Sequence, residues 1–192
     1  MAPRTDTRER VLRTAATLFR TQGYHATGLN QVIAEGRTPK GSLYFHFPGG
    51  KEQLAVESLA LSGNELCAAL EATLASAPEP VEALGRVVAL LGTMLEESNF
   101  RDGCPVATVA LDAAAQSEPI REACVGVYAS WESLIAEHLR AAGIADADRL
   151  AVVVLATIEG ALLLARTRRD LAPLHAVEAH LRHLLTTEGS PS

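Results

Sequence analysis

Residues 27–51 read TGLNQVIAEGRTPKGSLYFHFPGGK and carry two short helix-forming segments. The first, 29–35, places leucine, valine and isoleucine on one helical face, and the glycine-containing tripeptide 36–38 interrupts it. Proline opens the second segment, 39–47, where it suits a first helical turn, and the Pro-Gly-Gly stretch 48–50 ends it. Neither segment is long enough to be stable alone. The pattern therefore predicts two short helices, joined by a three-residue turn and packed on a longer partner as a helix-turn-helix unit.

The segment upstream, about 5–22, supplies that longer partner. Its apolar residues recur every fourth position, at Val11, Ala15 and Phe19, and Gly23 is expected to stop the helix. Thr27 is the predicted N-cap of the first short helix. Five of the eight aromatic residues fall in the first 50 positions, so we expect a small shared core filled by Phe19, Tyr24, Phe47 and either Tyr44 or Phe45.

The remaining sequence predicts an all-α body. The chain is 48% hydrophobic but only 4% aromatic, and a core built mostly of alanine, leucine and valine favours close-packed helices. Glycine and proline divide it into six further helices, about nine in all, at roughly 51–76, 80–99, 106–116, 119–142, 146–169 and 174–187, before a frayed tail. Asp146 is the expected N-cap of the fifth of these helices. We place a domain boundary near residue 50, between a helix-turn-helix domain at 1–50 and a helical body at 51–192.

Charge is distributed unevenly along the chain. The net charge is −6, yet residues 1–60 hold eight basic and five acidic side chains, whereas the remaining 132 residues hold nine basic and 18 acidic ones. A basic end beside an acidic body is typical of a protein that binds a polyanion at one end. A set of solvated charges on one helix would give the same asymmetry.

Cysteine usage and hydropathy predict a cytoplasmic protein. Cys67, Cys104 and Cys124 are odd in number and lack C-x-x-C spacing, which favours free thiols in a reducing compartment. No apolar signal segment follows Met1. The longest apolar run, 150–165, is shorter than a membrane span and contains Glu159, so no membrane partner is expected.

The stretch 34–47, AEGRTPKGSLYFHF, followed by Lys51, resembles the signature of the tetracycline-repressor (TetR) family, as do Phe19, Gly23-Tyr24 and Thr27 upstream. This resemblance covers about residues 5–55. Weaker similarity to the lincomycin-resistance-repressor branch lies in 48–54, in Gly103-Cys104-Pro105 and in Glu159-Gly160-Ala161. The chain departs from the family pattern at Arg37, where a turn glycine is usual, and at Gly28, where threonine or serine is usual. The resemblance implies an all-α homodimer with an N-terminal DNA-binding unit and a ligand-binding, dimerising body.

The same resemblance implies which residues touch DNA. The helix that opens at Pro39 would lie in the major groove, with Lys40, Gly41 and Tyr44 reading bases and Ser42 and His46 contacting phosphates. Lys51 would hold a phosphate at the start of the next helix, and Arg4, Thr27 and Arg37 are further candidates. Each has a structural alternative: Tyr44 in the core, Lys40 and Arg37 solvated, or His46 facing the small core.

The body offers a dimer interface and a ligand pocket. The segment 150–165 is apolar on all sides, which predicts burial against a second copy, with the last helix contributing a stripe of Val177, Leu181, Leu184 and Leu185. An ordinary buried helix of a monomer is the alternative. Residues that combine apolar bulk with a polar handle are the candidates for a small-molecule pocket: Met94, Phe100, Cys104, Tyr128, Trp131 and Glu159. Plain core packing, or a pairing of Glu159 across the interface, would explain them equally well.

Other functions find less support in the sequence. The nucleophile-elbow, Walker and Rossmann patterns are all missing, so neither an enzyme nor a cofactor is expected. His175, Glu178, His180 and His183 lie near one another in sequence, but spacing by leucines favours an amphipathic helix over a metal site. We therefore expect a homodimeric repressor that binds a palindromic DNA operator and is released by a small-molecule effector. The alternatives are a helical small-molecule-binding enzyme and a non-specific DNA-binding protein.

Overall fold

A computed structural model describes residues 4–188, and within that range it contains nine α-helices and no strand. The all-α prediction is confirmed. The helices are α1 (Arg4–Gln22), α2 (Leu29–Glu35), α3 (Lys40–His46), α4 (Gly50–Ala75), α5 (Pro80–Glu97), α6 (Ala107–Ala113), α7 (Glu118–Ala141), α8 (Ala147–Arg168) and α9 (Ala172–Glu188). The expected tail beyond residue 188, and the side chain of Arg4, lie outside the part that the structure describes.

The helices form two compact units. The first contains residues 4–65 and 104–127, and the second contains 66–103 and 128–188. The first unit therefore includes α1, α2, α3, the beginning of α4, all of α6 and the beginning of α7. The boundary that we predicted at residue 50 separates a DNA-binding domain from a ligand-binding and dimerisation domain. That division by function stays a prediction.

In the first unit, α1, α2 and α3 pack on one another, and α6 packs on α1. The predicted stripe of α1 is confirmed, since Val11, Ala15 and Phe19 are all buried. Gly23 ends α1 in the left-handed conformation, with φ of 86°, and donates to the Phe19 carbonyl. A chain that turns this sharply after a helix favours glycine, which has no Cβ to clash.

The start of α2 and the end of α6 differ from the prediction, whereas the predicted N-cap position of α8 is confirmed. Gly28, and not Thr27, is the N-cap of α2, and no side chain bonds to that helix start. Asp146 does occupy the N-cap position of α8, but its carboxylate pairs with Arg149 at 2.9 Å instead of capping the backbone. Helix α6 ends at Ala113, earlier than expected, because Ser117 accepts a hydrogen bond from the Ile120 amide and so caps α7.

In the second unit, α5, α8 and α9 pack together. Helix α8 buries one face inside this unit and exposes another that is also apolar, with Val152, Val153, Leu163 and Leu164 all about half exposed. By length and hydropathy alone α8 resembles a membrane span, but its packing against α5 and α9 is that of a core helix in a soluble domain.

Two of the four residues in the predicted interface stripe of α9 are buried within this chain, and the interface itself stays a prediction. Leu181 and Leu185 are buried within their own subunit, because α9 uses this face to pack against α5 and α8. The side of α9 that remains exposed carries smaller or polar residues, among them Ala172, Ala176, Ala179, His175 and His180.

The three cysteines are free, as expected, and Cys104 and Cys124 are buried. Burial raises the pKa of the Cys124 thiol above its ordinary value, which keeps it protonated and unreactive. Among the described residues, no group of three or more histidine, cysteine or acidic side chains is arranged to hold a metal ion.

Candidate nucleic-acid interface

The turn between α2 and α3 is fixed to α1 through one carbonyl group. The Gly36 carbonyl accepts hydrogen bonds from Arg10 Nε and from Thr38 Oγ1, each at 2.9 Å. A Cβ at Gly36 would lie 2.8 Å from the Val32 carbonyl oxygen and 3.3 Å from the Thr14 hydroxyl oxygen. Glycine is therefore required here by close approach. The turn holds α3 at a defined place on α1.

Arg37 provides the sharp change of direction in this turn. Gly36 keeps ordinary right-handed geometry, and Arg37 adopts φ of 46° in the left-handed region. This explains how the chain accommodates its departure from the usual glycine at position 37: the same left-handed conformation forms at a cost of roughly 1–2 kcal/mol for a residue with a Cβ. The Arg37 side chain is exposed.

Helix α3 buries one face and presents the other to solvent. Leu43 and Phe47, one helical turn apart, are fully buried, and the Arg8 guanidinium lies 5.2 Å from the centroid of the Phe47 ring. Lys40 and Gly41 are exposed, and Tyr44 is 46% exposed on the same outer face. The three predicted base-reading positions therefore lie together on the solvent side. Ser42 and His46 are half-buried at the two edges of this face.

The predicted aromatic core is wrong for α3. Neither Tyr44 nor Phe45 is buried, and Phe45 is 64% exposed with its ring edge-on to His46 at 5.1 Å. The core needs one helical stripe, and Leu43 with Phe47 already supplies it. Phe19 and Phe47 fill the core as expected, while Tyr24 is half-buried and stacks on Phe19 with ring centroids 5.9 Å apart.

The turn between α3 and α4 is secured by a chain of side chains that reaches α1. The Gly49 amide donates to Gln53 Oε1 at 2.8 Å, and Gln53 Nε2 donates to Glu57 Oε1 at 2.9 Å. Glu57 in turn forms an ion pair with Arg8 of α1. Both ends of α3 are thus anchored, which limits the orientations that its outer face can take.

Lys51, the predicted phosphate ligand, lies at the start of α4 beside the α1–α2 turn. Its Nζ is 4.5 Å from the centroid of the Tyr24 ring and donates to the His25 carbonyl at 3.4 Å. Partial burial lowers the pKa of Lys51, and the charge of Asp112 opposes that shift. The Asp112 carboxylate also accepts a hydrogen bond from the His25 amide at 2.6 Å. Lys51 is therefore held in place by the fold before any phosphate is bound.

Thr27 lies inside the first unit. It is 1% exposed, and its hydroxyl donates to the Gly23 carbonyl at 2.7 Å while accepting from Gln22 at 3.2 Å. These bonds give Thr27 a role in holding the α1–α2 turn. A phosphate contact by Thr27 stays a prediction.

The six predicted pocket residues divide between the two units. Cys104 belongs to the first unit, where its sulfur accepts from the amides of Val106 and Ala107, each at 3.4 Å. The other five belong to the second unit, where Trp131 is buried and packs edge-on against Tyr128 with ring centroids 5.6 Å apart. Met94 is exposed, and Phe100 and Glu159 are half-buried. An effector site built from these five residues stays a prediction.

A narrow cleft exists within the first unit, lined by residues of α1, α4, α6 and the loop before α6. Its lining is Ala16, Phe19, Ala55, Ser58, Leu59, Ser62, Pro105 and Val109. It leaves no room for a water-sized molecule, so it is a packing gap and not a binding site in this conformation. The Ser58 hydroxyl is buried there without a hydrogen-bond partner.

Sequence reasoning missed Asp112, Gln53 and Phe45. The Asp112 bond joins residues 87 positions apart, and nothing in the local sequence marks it. Gln53 follows a Pro-Gly-Gly turn just inside a helix start, a position from which a side chain can return to the backbone, so that signal was present. The exposure of Phe45 could have been found by placing Leu43 and Phe47 on one helical stripe.

Comparisons with known proteins agree with this geometry. The family model described as "Bacterial regulatory proteins, tetR family" matches residues 11–57, and that of the "Transcriptional regulator LmrA/YxaF-like, C-terminal domain" matches residues 80–180. The chain is 37% identical to the HTH-type transcriptional regulator YxaF of Bacillus subtilis, covering 98% of this chain and 100% of the relative. It is 38% identical to LmrA of the same organism, covering 94% and 97%. The crystal structure of a TetR transcriptional regulator from Chloroflexus aurantiacus superposes with a TM-score of 0.81 at 28% identity, covering 98% of each chain.

Proposed function

Because this chain belongs to the tetR family of bacterial regulatory proteins and is a DNA-binding transcriptional regulator, we propose that it acts as a homodimeric repressor in the cytoplasm. Two copies bind a roughly palindromic operator and leave it when a small molecule binds the body. The observation that carries this proposal is the outer face of α3, which exposes Lys40, Gly41 and Tyr44 while Leu43 and Phe47 anchor the opposite face.

Each residue of the outer face suits one part of the major groove. Lys40 can donate to the acceptors of guanine, and the Tyr44 hydroxyl can donate or accept at a base edge. Gly41 has no side chain, so the backbone of α3 can approach the bases closely at this position. A Cβ there would meet no atom of the protein within 4 Å, so the position faces open space. Arg37, Ser42, His46 and Lys51 surround this face and supply phosphate contacts, which set the register of the helix on the duplex.

The outer face of α8 supports a dimer. Val152, Val153, Leu163 and Leu164 form an exposed apolar stripe, and Ala156 and Gly160 between them allow close approach of another helix. A soluble protein rarely leaves such a contiguous stripe uncovered. A second copy of α8 covers it by two-fold symmetry, and the two α3 helices then read successive major grooves about 34–36 Å apart.

We assign effector control to the second unit, where Tyr128 and Trp131 pack edge-on. Met94, Phe100 and Glu159 are the further residues expected to contact the effector. An effector weakens DNA binding only as far as it prefers the dimer shape that does not fit the operator. The expected effector therefore combines an aromatic or apolar body with a polar group that can bind Glu159.

The alternative function is that of a helical enzyme. It predicts catalytic turnover that survives Lys40→Ala and Tyr44→Phe.

DNA recognition is tested by selecting bound sequences from random duplexes with the full chain, then measuring affinity for selected and scrambled duplexes at one salt concentration. We expect a difference of at least about a thousandfold. Lys40→Ala should reduce it, whereas Lys51→Ala should weaken both duplexes alike and lower the salt slope by about one unit. Equal binding of both duplexes by the unaltered protein would instead establish a non-specific DNA-binding protein.

The dimer is tested by placing a charge in the exposed stripe of α8. Leu163→Glu should give a monomer in sedimentation and lose operator affinity, because an unpaired carboxylate is costly to bury in an apolar interface. The matched control is Leu111→Glu on α6, where the leucine is 82% exposed in the first unit, and it should remain dimeric. A Leu163→Glu protein that stays dimeric would show that the interface lies elsewhere.

Effector binding has a built-in reporter, since Trp131 is the only tryptophan of the chain. Small molecules that release the selected duplex should also change the emission of Trp131, with matching concentration dependence. A releasing molecule that leaves this emission unchanged would place the effector site away from Tyr128 and Trp131.

A further inference from the structure

Helix α6 and the turn that follows it, residues 107–117, are bonded to two other parts of the first unit, and we call these residues the α6 corner. The Asp112 carboxylate accepts a hydrogen bond from the His25 amide of the α1–α2 turn at 2.6 Å. The Ser117 hydroxyl donates to Glu52 Oε2, at the start of α4, at 2.7 Å. The α6 corner therefore fixes both the α1–α2 turn and the first residues of α4.

Lys51 lies between these two bonds. It precedes Glu52 in the chain, and its Nζ donates to the carbonyl of His25, the residue whose amide bonds to Asp112. The same ammonium lies 4.5 Å from the centroid of the Tyr24 ring. Ordering a lysine side chain costs conformational entropy on binding, and a side chain that the fold already holds has less to lose. The α1–α2 turn holds Lys51, and Asp112 holds the turn.

The contact between Asp112 and the α1–α2 turn is a close one. A Cβ built at Gly23 would lie 3.0 Å from Asp112 Oδ2 and 3.7 Å from Thr108 Cγ2, so the turn meets α6 without a side chain between them. A carboxylate that accepts from a backbone amide forms a stronger bond than a neutral acceptor does. Partial burial lowers the pKa of Lys51, and the charge of Asp112 opposes that shift. Asp112 thus affects both the place and the charge of the Lys51 ammonium.

We propose that Asp112 is a positioning residue for Lys51, which makes α6 a structural part of the DNA-binding unit. Asp112 fixes the α1–α2 turn, and the turn orients the Lys51 ammonium towards a phosphate before DNA is bound. Ser117 supports the same arrangement from the side of α4, through Glu52. This inference rests on the proposed function, in which Lys51 contacts a phosphate of the operator.

The test is a double-mutant cycle in the full chain, with affinity for the selected duplex measured at several salt concentrations. Asp112→Ala should lower the affinity and reduce the salt slope by as much as Lys51→Ala does, because both remove the phosphate contact of Lys51. The double variant should bind no more weakly than Lys51→Ala alone. A purely electrostatic role of Asp112 predicts the opposite sign, since removal of an acidic charge strengthens the attraction of a polyanion.

Two further variants separate the hydrogen bond from the charge and from the helix. Asp112→Asn keeps an oxygen that can accept from the His25 amide, so it should keep the salt slope of the unaltered protein and bind at least as tightly. Leu111→Ala changes the neighbouring residue of α6, which is 82% exposed, and should alter neither affinity nor slope. Circular dichroism will verify that all variants fold.

Hydrogen exchange of the His25 amide, followed by NMR, reports the bond without DNA. The amide should exchange slowly in the unaltered protein and in Asp112→Asn, and about tenfold faster in Asp112→Ala, as expected for the loss of one hydrogen bond. Leu111→Ala should leave this exchange rate unchanged.

Three results would overturn the inference. Asp112→Ala could keep the affinity and salt slope of the unaltered protein, its loss of affinity could add in full to that of Lys51→Ala, or its His25 amide could stay protected. In each case Lys51→Ala still lowers the salt slope, and the preference for selected over scrambled DNA remains. An unchanged slope in Lys51→Ala, or equal binding of both duplexes by the unaltered protein, would instead refute the proposed function.

Discussion

Gly36 provides the most direct test of how the α2–α3 turn holds α3 in place. One of its Cα hydrogens faces the Val32 carbonyl, and a methyl group in its place would lie 2.8 Å from that oxygen and 3.3 Å from the Thr14 hydroxyl oxygen. The Val32 carbonyl already accepts the Gly36 amide at 2.9 Å, so it cannot move away without loss of the helix end. Because overpacking of this kind costs typically 1–3 kcal/mol, we expect Gly36→Ala to lower the free energy of unfolding by about 2 kcal/mol.

The matched control is Gly126→Ala, in the exposed interior of α7, where a Cβ would meet nothing within 4 Å. There the same substitution should raise the free energy of unfolding by about 0.5–1 kcal/mol, through helix propensity alone. Both variants are measured by urea unfolding followed by circular dichroism. The reasoning is refuted if Gly36→Ala is as stable as the unaltered protein, or if the two substitutions change stability in the same direction.

Three further predictions concern single side chains. Ser58→Ala should raise the free energy of unfolding by about 1 kcal/mol in urea unfolding, because it removes a buried hydroxyl without a hydrogen-bond partner; a clear loss of stability would show that the hydroxyl is bonded. Arg37→Gly should stabilise the protein by about 0.5–1 kcal/mol in the same assay, because glycine adopts the left-handed conformation without a Cβ clash. Part of this gain is offset by the greater conformational freedom of glycine in the unfolded chain. An unchanged midpoint of urea unfolding would count against strain at this turn. Burial lowers the pKa of His138, whose Nε2 has no hydrogen-bond partner, so the unfolded chain binds a proton at this residue more readily than the folded chain does. The free energy of unfolding should therefore fall as the pH drops below the ordinary histidine pKa of about 6.5. His138→Gln should reduce this loss between pH 7 and pH 5, and an identical pH dependence in both proteins would contradict it.

Helix positions could be read from the sequence because glycine, proline and apolar periodicity act locally. The bounds of α2 were predicted at both ends, since Gly28 and Gly36 flank a segment with one buried face. Helix α6 was predicted too long, because the alanines after Ala113 favour helix in isolation, whereas Ser117 begins the next helix. Local propensity does not indicate which of two adjacent helices will include a residue that could belong to either.

Which face a residue occupies was harder to predict than the helix itself. Leu43 and Phe47 are four positions apart, and that pair buries one side of α3 and leaves Tyr44 and Phe45 outside. In α9, Leu181 and Leu185 of the predicted interface stripe are buried by packing on α5 and α8. Composition cannot distinguish burial inside a subunit from burial between subunits, since both require the same apolar side chains.

The contacts that fix the candidate site are mostly between distant parts of the chain. Asp112 of α6 reaches the His25 amide, and Arg8 of α1 reaches Glu57 of α4. No periodicity or spacing rule relates such positions, because their proximity is a product of the tertiary fold. The exposure of Lys40 and Gly41 and the Gln53 contact could be predicted from local sequence, whereas the Asp112 and Glu57 contacts follow only from the structure.

The first unit is assembled from two stretches that are far apart along the chain, 4–65 and 104–127. Gly63 closely faces Val127, the last residue of the second stretch, since a Cβ at Gly63 would lie 2.6 Å from a Val127 methyl carbon. During synthesis, the segment that we propose contacts DNA therefore emerges from the ribosome long before the stretch 104–127 that completes the first unit. A nascent chain that has not yet exposed residue 127 lacks part of the first unit, so we expect this unit to complete its fold only in roughly the final third of translation.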